Sequence, residues 1–225
     1  LENGEILPSV TLAYETWGEL DEAGSNAVLI LHALTGDAHV YGETAPGQPT
    51  PGWWDQIVGP GRIIDTDRYY VVAANVLGGC QGSTGPASLA PDGAPWGSRF
   101  PVISTRDQVY AESRLADLLG IDEWSIVVGA SLGGQRAIEW AVSYPERVRR
   151  LVVVASGAQT TADQAAWTHT QIRAIQLDPA WRGGDYYAGP GPTAGLALAR
   201  QIAHTTYRSP SELDERFGRI PQNDE

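Results

Sequence analysis

The sequence predicts an α/β protein with a mostly parallel sheet and helices on both faces, followed by a purely helical segment. Short apolar runs alternate with helical patterns along the chain as far as Ser156. The runs that predict strands are 27–34, 69–78, 125–129 and 148–156. The helical patterns cover 105–121 and 133–145. Because strands that alternate with helices form parallel sheets, this order predicts the fold class.

Local patterns justify the individual elements. In the stretch 9–18 apolar and polar residues alternate enough to predict an early strand in an antiparallel part of the sheet. The runs 27–34 and 69–78 are continuously apolar, as expected of strands buried on both faces. Thr105 and Gln108 form a predicted capping box at the start of the first helix. The apolar stripe of that helix consists of Val109, Leu115, Leu118 and Leu119.

The segment after Ser156 contains only helical patterns. Thr161 and Gln164 form a second predicted capping box, which opens a helix that reaches about Leu177. A Gly/Pro loop at 184–192 precedes predicted helices at 193–207 and 210–219, the last with Ser211 as its cap. We therefore expect an α/β core over 1–159 and a helical lid subdomain over 160–225, both of them incomplete.

Charge and composition exclude several classes of partner. The formal net charge is −12, which argues against a nucleic-acid partner and against a polybasic membrane surface. No apolar run approaches the roughly 18 residues of a membrane span, and the first ten residues lack the pattern of a signal peptide. A single cysteine, Cys80, excludes an internal disulfide framework and favours a reducing compartment. These features predict a cytoplasmic protein.

The motif Gly-Ala-Ser-Leu-Gly at 129–133 lies where a predicted strand runs directly into a predicted helix. The G-x-S-x-G pattern in that context is typical of a nucleophile elbow, in which a strained turn presents the serine at the carboxyl edge of the sheet. Glycines two residues before and after Ser131 leave space where a Cβ would clash. The helix N-terminus behind the serine favours negative charge on an oxyanion. The alternative is a structural Gly-rich turn between strand and helix.

The chain resembles the homoserine O-acetyltransferase family of the α/β-hydrolase fold. The resemblance is carried by five stretches in the order of the family: "LHALTGDAHV" (31–40), "NVLGGCQGSTGP" (75–86), "FPVISTRDQV" (100–109), "GASLGGQRAIEWA" (129–141) and "GLALARQIAHTTYRS" (195–209). One departure is Leu132, where many relatives have methionine. Both residues are apolar, and only the backbone N–H of this position is expected to act.

The resemblance implies transfer of an acetyl group from acetyl-CoA to the hydroxyl of L-homoserine, an early step towards methionine. Ser131 would carry the acetyl group as an ester between two displacements. The backbone N–H groups of Leu132 and Leu34 would bind the oxyanion, although the turn around Leu34 can equally be an ordinary strand end. No cofactor is implied beyond acetyl-CoA as co-substrate, and a homodimer is expected.

Two residues of the tail match substrate-binding positions of the family. Arg200, within "LALAR", matches the arginine whose guanidinium can bind the carboxylate of the amino acid bidentately. Tyr207 is a weaker candidate for the same pocket. The alternative for Arg200 is a solvated or ion-paired helix residue.

An aspartate and a histidine that would complete a catalytic triad with Ser131 are not assigned. In this fold the order is Ser, then Asp or Glu, then His, and the last two follow later strands. After Ser131 the histidines are His169 and His204, and both lie in predicted helices. The acids Asp163 and Asp178 lie in or beside predicted helices. We therefore expect the triad Asp and His beyond Glu225, and we expect residues 1–225 alone to be inactive.

Other conspicuous residues have ordinary explanations. Cys80 lacks an elbow context, so we expect a small residue packed in a Gly-rich loop near the site. "GGCQGSTG" lacks the lysine of a phosphate-binding loop. His32 and His39 alone make a weak metal candidate, and no metal is predicted. Trp53 and Trp54 are expected to pack in the core or at its rim.

Three alternative functions remain open at this point. The first two are enzymes of the same fold: a succinyl- or serine-specific acyltransferase, or an esterase that passes the acyl group to water. The third is a non-catalytic binding protein that retains the elbow.

Overall fold

The computed structural model describes residues 1–218. The chain divides into two compact units, Leu1–Ala158 and Gln159–Glu225, which are described separately. The strands of the first unit are β1 (Tyr14–Trp17), β2 (Ala27–Leu31), β3 (Val58–Gly59), β4 (Ile64–Asp65), β5 (Tyr70–Ala74), β6 (Ile126–Ala130) and β7 (Leu151–Val154). Its α-helices are α1 (Thr105–Leu118) and α2 (Leu132–Ser143). The second unit contains α3 (Ala162–Gln176), α4 (Thr193–Thr206) and α5 (Pro210–Phe217).

The main sheet has five strands in the order β1-β5-β2-β6-β7. Strands β5, β2, β6 and β7 are parallel, and β1 pairs with β5 in the antiparallel sense. This arrangement confirms the predicted mostly parallel α/β sheet and its antiparallel first strand. β2 lies in the centre and is completely buried, as its continuous apolar sequence predicts. The short parallel pair β3–β4 was not predicted, because two-residue strands leave no periodicity.

The core forms one cluster on each face of the sheet. On one face, Leu29 and Val127 contact residues of α1 and α2, and Trp124 packs edge-on against Trp140 with 6.1 Å between ring centroids. On the other face, Val28, Ile30 and Val71 belong to a cluster completed by Val40, Val58 and Ile64. The segment that contains β3 and β4 thus covers the face opposite α1 and α2 within the first unit.

Two predicted helix caps are displaced. The cap of α1 is Ser104, not Thr105: the Ser104 hydroxyl accepts from the Asp107 N–H, and the Asp107 carboxylate accepts from the Ser104 N–H. Thr105 already lies inside the helix. The cap of α5 is Ser209 instead of Ser211, since Pro210 takes the first helical position.

Two further predictions concern the start of α3 and the end of the last helix. The Thr161–Gln164 capping box of α3 is confirmed in both of its hydrogen bonds. The predicted end of the last helix at Arg219 lies outside the described residues. Within 155–218 the structure contains no strand.

The second unit is built on the pair α3 and α4. Gly195 allows these helices to approach, because a Cβ there would lie 2.7 Å from the Ala174 carbonyl oxygen. Asp178 accepts hydrogen bonds of 2.8 Å from the N–H groups of Ala180 and Gly195. These two bonds hold the turn after α3 against the first turn of α4, and they lower the pKa of Asp178. Among residues 1–218, no helix combines the length and apolarity needed to cross a membrane.

Candidate active site

Ser131 stands at a strained turn between β6 and α2. Its φ of 53° lies in the region that favours glycine, where a serine costs free energy. A Cβ on Gly129 would lie 2.1 Å from the Gly133 carbonyl oxygen, and a Cβ on Gly133 would lie 1.9 Å from the Leu31 carbonyl oxygen. Both glycines are therefore required by close backbone approach, as the motif indicated. The serine itself is exposed.

Hydrogen bonds hold the backbone of Ser131 in this conformation. Its N–H donates to the Val154 carbonyl at the end of β7, at 3.0 Å. Its carbonyl oxygen accepts from the Ser156 hydroxyl at 2.8 Å and from the N–H groups of Gly134 at 2.9 Å and Gln135 at 3.2 Å. Four contacts thus offset the strain, which is how such a conformation persists in a native structure.

The two predicted oxyanion donors follow adjacent strands. Leu132 is the first residue of α2, and Leu34 lies in the turn after β2. Leu31 pairs with Gly129, so the ends of β2 and β6 meet at one edge of the sheet. Within residues 1–218, neither the Leu132 N–H nor the Leu34 N–H has an acceptor. Two unpaired N–H groups at this edge match the requirement of an oxyanion site, and their role stays a prediction.

His32 supports the turn that carries Leu34. Its side chain is buried, and its two ring nitrogens have different backbone partners. Nδ1 lies 2.7 Å from the Ala33 carbonyl oxygen, and Nε2 accepts from the Val76 N–H at 3.1 Å. Burial, and after it the positive charge of Arg136, lowers the pKa of His32 from 6.5 to about 4. The ring is therefore neutral at pH 7, with its proton on Nδ1.

A buried ion pair lies behind this turn. Arg136 is completely buried, and its Nη1 lies 2.5 Å from Oε1 of Glu112 in α1. Its Nη2 donates to the His32 carbonyl oxygen at 2.9 Å. The other carboxylate oxygen of Glu112 accepts from the Trp140 indole N–H at 2.8 Å. The sequence patterns did not predict this pair, although an arginine three residues after Gly133, on the buried stripe of α2, is a usable signal.

Asn75 connects the same region to the Gly-rich loop after β5. Its side-chain oxygen accepts from the Ala38 N–H at 2.6 Å, and its side-chain amide donates to the Gln81 carbonyl. The Ser83 hydroxyl donates to the Asn75 carbonyl at 2.6 Å. Cys80 lies in this loop and is exposed, so the expectation of a packed cysteine was wrong. The backbone of the loop is held by Asn75 and Ser83 without burial of the thiol.

The predicted substrate residues lie in the second unit. Arg200 is an exposed residue of α4, and Tyr207 caps the carboxyl end of the same helix. The Tyr207 ring is 67% exposed and lies edge-on to His204, at 6.2 Å between centroids. Ser131, Leu132 and Leu34 belong to the first unit. The assignments of Arg200 and Tyr207 to the substrate stay predictions.

The histidines and acids of the chain form no metal cluster in the part that the structure describes. Residues 1–218 contain no group of three or more His, Cys, Asp or Glu side chains that could hold an ion. His39 is bound at 2.9 Å to Glu15. Burial lowers the pKa of His39, but the hydrogen bond and charge of Glu15 outweigh burial and raise it.

The tryptophan pair lies beside the turn after β2. The rings of Trp53 and Trp54 stack with centroids 5.2 Å apart. The Trp53 indole N–H donates to the Asp37 carbonyl at 2.9 Å. Trp54 packs against the core, as predicted, and Trp53 is partly exposed at its rim.

Comparison with known proteins gives one family and several relatives. A family profile described as alpha/beta hydrolase fold matches residues 26–224. The homoserine O-acetyltransferase of Thermobifida fusca (strain YX) is 63% identical over 227 residues, which cover 100% of this chain and 60% of that protein. The chain thus spans about 60% of the length of this relative.

Two solved structures are also similar. The homoserine O-acetyltransferase from Bacillus anthracis superposes with a TM-score of 0.86 at 32% identity, over 95% of this chain and 59% of that one. Esterase E22 superposes with a TM-score of 0.87 at 34% identity, over 98% of this chain and 63% of that one. The same fold, with comparable similarity, therefore occurs in a protein named as a transferase and in one named as an esterase.

Proposed function

The chain belongs to the alpha/beta hydrolase fold family, and from this premise we propose that Ser131 is the nucleophile of an acetyltransferase acting on L-homoserine. The observation that carries the proposal is the elbow itself: an exposed serine at φ 53°, held between two glycines that admit no Cβ. The high identity to the Thermobifida fusca homoserine O-acetyltransferase supports the choice of reaction.

The proposed reaction has two displacements. The Ser131 hydroxyl attacks the thioester carbonyl of acetyl-CoA, the C–S bond breaks, and CoA leaves as its thiol while the acetyl group stays on Ser131 as an ester. The homoserine hydroxyl then attacks this ester, and O-acetylhomoserine leaves as Ser131 regains its proton. A general base must take and return the proton in both steps. The aspartate and histidine for this role stay a prediction for residues beyond Glu225.

The remaining roles follow from the same proposal. Each tetrahedral intermediate places negative charge where the N–H groups of Leu132 and Leu34 can bind it. Arg200 binds the homoserine carboxylate, and Tyr207 contributes to the same pocket. Acetyl-CoA is a co-substrate, and no other cofactor takes part. The complete enzyme is proposed to be a cytoplasmic homodimer that serves methionine biosynthesis.

A second candidate function is ester hydrolysis. It is favoured by the similarity to esterase E22, whose TM-score is comparable to that of the Bacillus anthracis transferase. In this reaction water, not homoserine, would attack the acetyl ester on Ser131.

A competition assay on the complete protein separates the candidates. Acetyl-CoA with homoserine is compared with succinyl-CoA, with serine as acceptor, and with an aryl acetate in water. We expect O-acetylhomoserine to be the dominant product. Hydrolysis of the aryl acetate that is not diverted by saturating homoserine would instead establish the esterase. Preferred use of succinyl-CoA or serine would identify one of the other acyltransferases.

A further inference from the structure

The Leu34 N–H shares a peptide plane with the Ala33 carbonyl. Because that unit is planar and trans, the direction of the carbonyl fixes the direction of the N–H on its opposite side. The Ala33 carbonyl accepts from His32 Nδ1 at 2.7 Å. The imidazole of His32 therefore determines where the Leu34 N–H points by fixing the carbonyl of the same peptide plane.

His32 is in turn held from two sides. Its Nε2 accepts from the N–H of Val76, two residues after β5, and this bond fixes the ring. Its own carbonyl oxygen accepts from Nη2 of the buried Arg136, which fixes the start of the turn. Arg136 is positioned by Glu112, whose second oxygen is bound to Trp140. A chain of buried hydrogen bonds thus runs from α1 and α2 to the peptide that carries the Leu34 N–H.

We propose that His32 is a positioning residue that aims the Leu34 N–H at the developing oxyanion, with Arg136 holding the backbone from which the imidazole acts. The inference rests on the proposed function, since it assumes acyl transfer through Ser131. A preorganised donor costs no reorganisation when charge develops, and this is the main advantage of an oxyanion site. Removal of one such donor typically slows the chemical step by about 10²–10³-fold. Loss of its orientation alone should cost less, about 10–100-fold.

A purely structural role of His32 would depend on a different hydrogen bond of the ring. If His32 served only to tie β2 to β5, its bond to the Val76 N–H would be the important one. Two substitutions separate the bonds. The amide of asparagine can take the place of Nδ1 and donate to the Ala33 carbonyl, whereas the amide of glutamine can take the place of Nε2 and accept from Val76.

The test compares His32→Asn and His32→Gln in the complete enzyme. Two quantities are measured: the rate of Ser131 acylation by an aryl acetate, and the affinity for a boronic acid that forms a tetrahedral adduct on the serine. We expect His32→Gln to lose about 10–100-fold in both, with the KM for the ester changed less than about threefold. His32→Asn should stay within about fivefold of the wild type. His39→Gln, a change at another buried histidine, is the control and should leave both unchanged.

Arg136→Lys provides an independent test of the proposal. It remains decisive if His32→Gln does not fold. A single ammonium group cannot bind Glu112 and the His32 carbonyl in the geometry of the guanidinium fork. We expect parallel losses of about 10-fold in acylation rate and boronate affinity.

The outcomes that would overturn the inference are specific. Equal losses in the two His32 variants, a larger loss in His32→Asn, or unchanged boronate affinity in a folded His32→Gln or Arg136→Lys would each do so. A wild-type enzyme that forms no acyl-Ser131 would instead overturn the proposed function and this inference with it.

Discussion

The Ser156 hydroxyl donates a hydrogen bond of 2.8 Å to the carbonyl oxygen of Ser131. Ser156 follows β7, so the segment after the strand beside β6 helps to hold the backbone of Ser131. The carbonyl retains the N–H groups of Gly134 and Gln135 as donors when this hydroxyl is removed. We therefore expect Ser156→Ala to lower the free energy of unfolding by about 0.5–1.5 kcal/mol and the acylation rate by less than about tenfold. Denaturant titration measures the free energy of unfolding, and aryl acetate kinetics measure the acylation rate. A loss of activity as large as that of Ser131→Ala would contradict the supporting role of Ser156.

Ser131→Ala should abolish acetyl transfer by the complete enzyme while the fold is retained. Losses of about 10³–10⁶-fold fit the removal of a nucleophile from a triad. Mass spectrometry of the wild type after treatment with acetyl-CoA should find the acetyl group on the peptide that contains Ser131. The exposed Cys80 provides the internal comparison, and an acetyl group found there instead would refute the mechanism.

Gly133→Ala should destabilise the elbow strongly. The added Cβ would lie 1.9 Å from the Leu31 carbonyl oxygen, so the backbone of β2 or α2 must move. We expect a loss of about 2–4 kcal/mol in the free energy of unfolding, by analogy with overpacked cores. Gly189→Ala is the control, because its nearest neighbour atom is 3.8 Å from the new Cβ. Similar unfolding midpoints for the two variants in denaturant would show that the elbow can relax.

Arg200→Ala should impair the use of homoserine and leave acetylation of Ser131 nearly normal. A lysine at this position should restore activity only in part, because an ammonium group cannot reproduce a bidentate contact. Arg173→Ala is the matched control, since Arg173 is another exposed helix arginine of the second unit, and its guanidinium donates to the Gln176 side chain. A normal KM for homoserine in Arg200→Ala would reduce this residue to a surface position.

Stability should fall as the pH is lowered from about 6.5 towards 4. The folded pKa of His32 is about 4, below its ordinary value of 6.5, so the unfolded chain binds a proton in this range that the folded chain does not. The contribution is about 3 kcal/mol at most. The raised pKa of His39 has the opposite sign, but its contribution changes mainly above pH 6.5, so it offsets little of this fall. Denaturant titrations across this range should show a shallower fall for His32→Asn than for wild type, and equal slopes would argue against a neutral His32.

The parts of the fold that could be predicted are those encoded by local patterns. The continuous apolar sequence of β2 predicts a buried strand, and the Gly-Ala-Ser-Leu-Gly motif predicts a strained turn. The structure confirms both. The cap of α1 was placed one residue late, because Ser104 and Thr105 are both capable caps and only the position of Asp107 decides between them. The roles of His32 and Arg136 could not be predicted. Their significance comes from Val76 and Glu112, which are distant in sequence and are brought near only by packing.

Ser131 takes its backbone geometry from residues that are made after it. Its N–H is bound to Val154, the last residue of β7, and its carbonyl oxygen to Ser156, two residues further along the chain. A nascent chain that has reached only α2 therefore contains the serine without two of the four contacts that offset its strain. Order of synthesis separates the two events: the residue emerges from the ribosome first, and its reactive shape forms when β7 docks beside β6. We expect the strained turn at Ser131 to form only in nascent chains that already include β7.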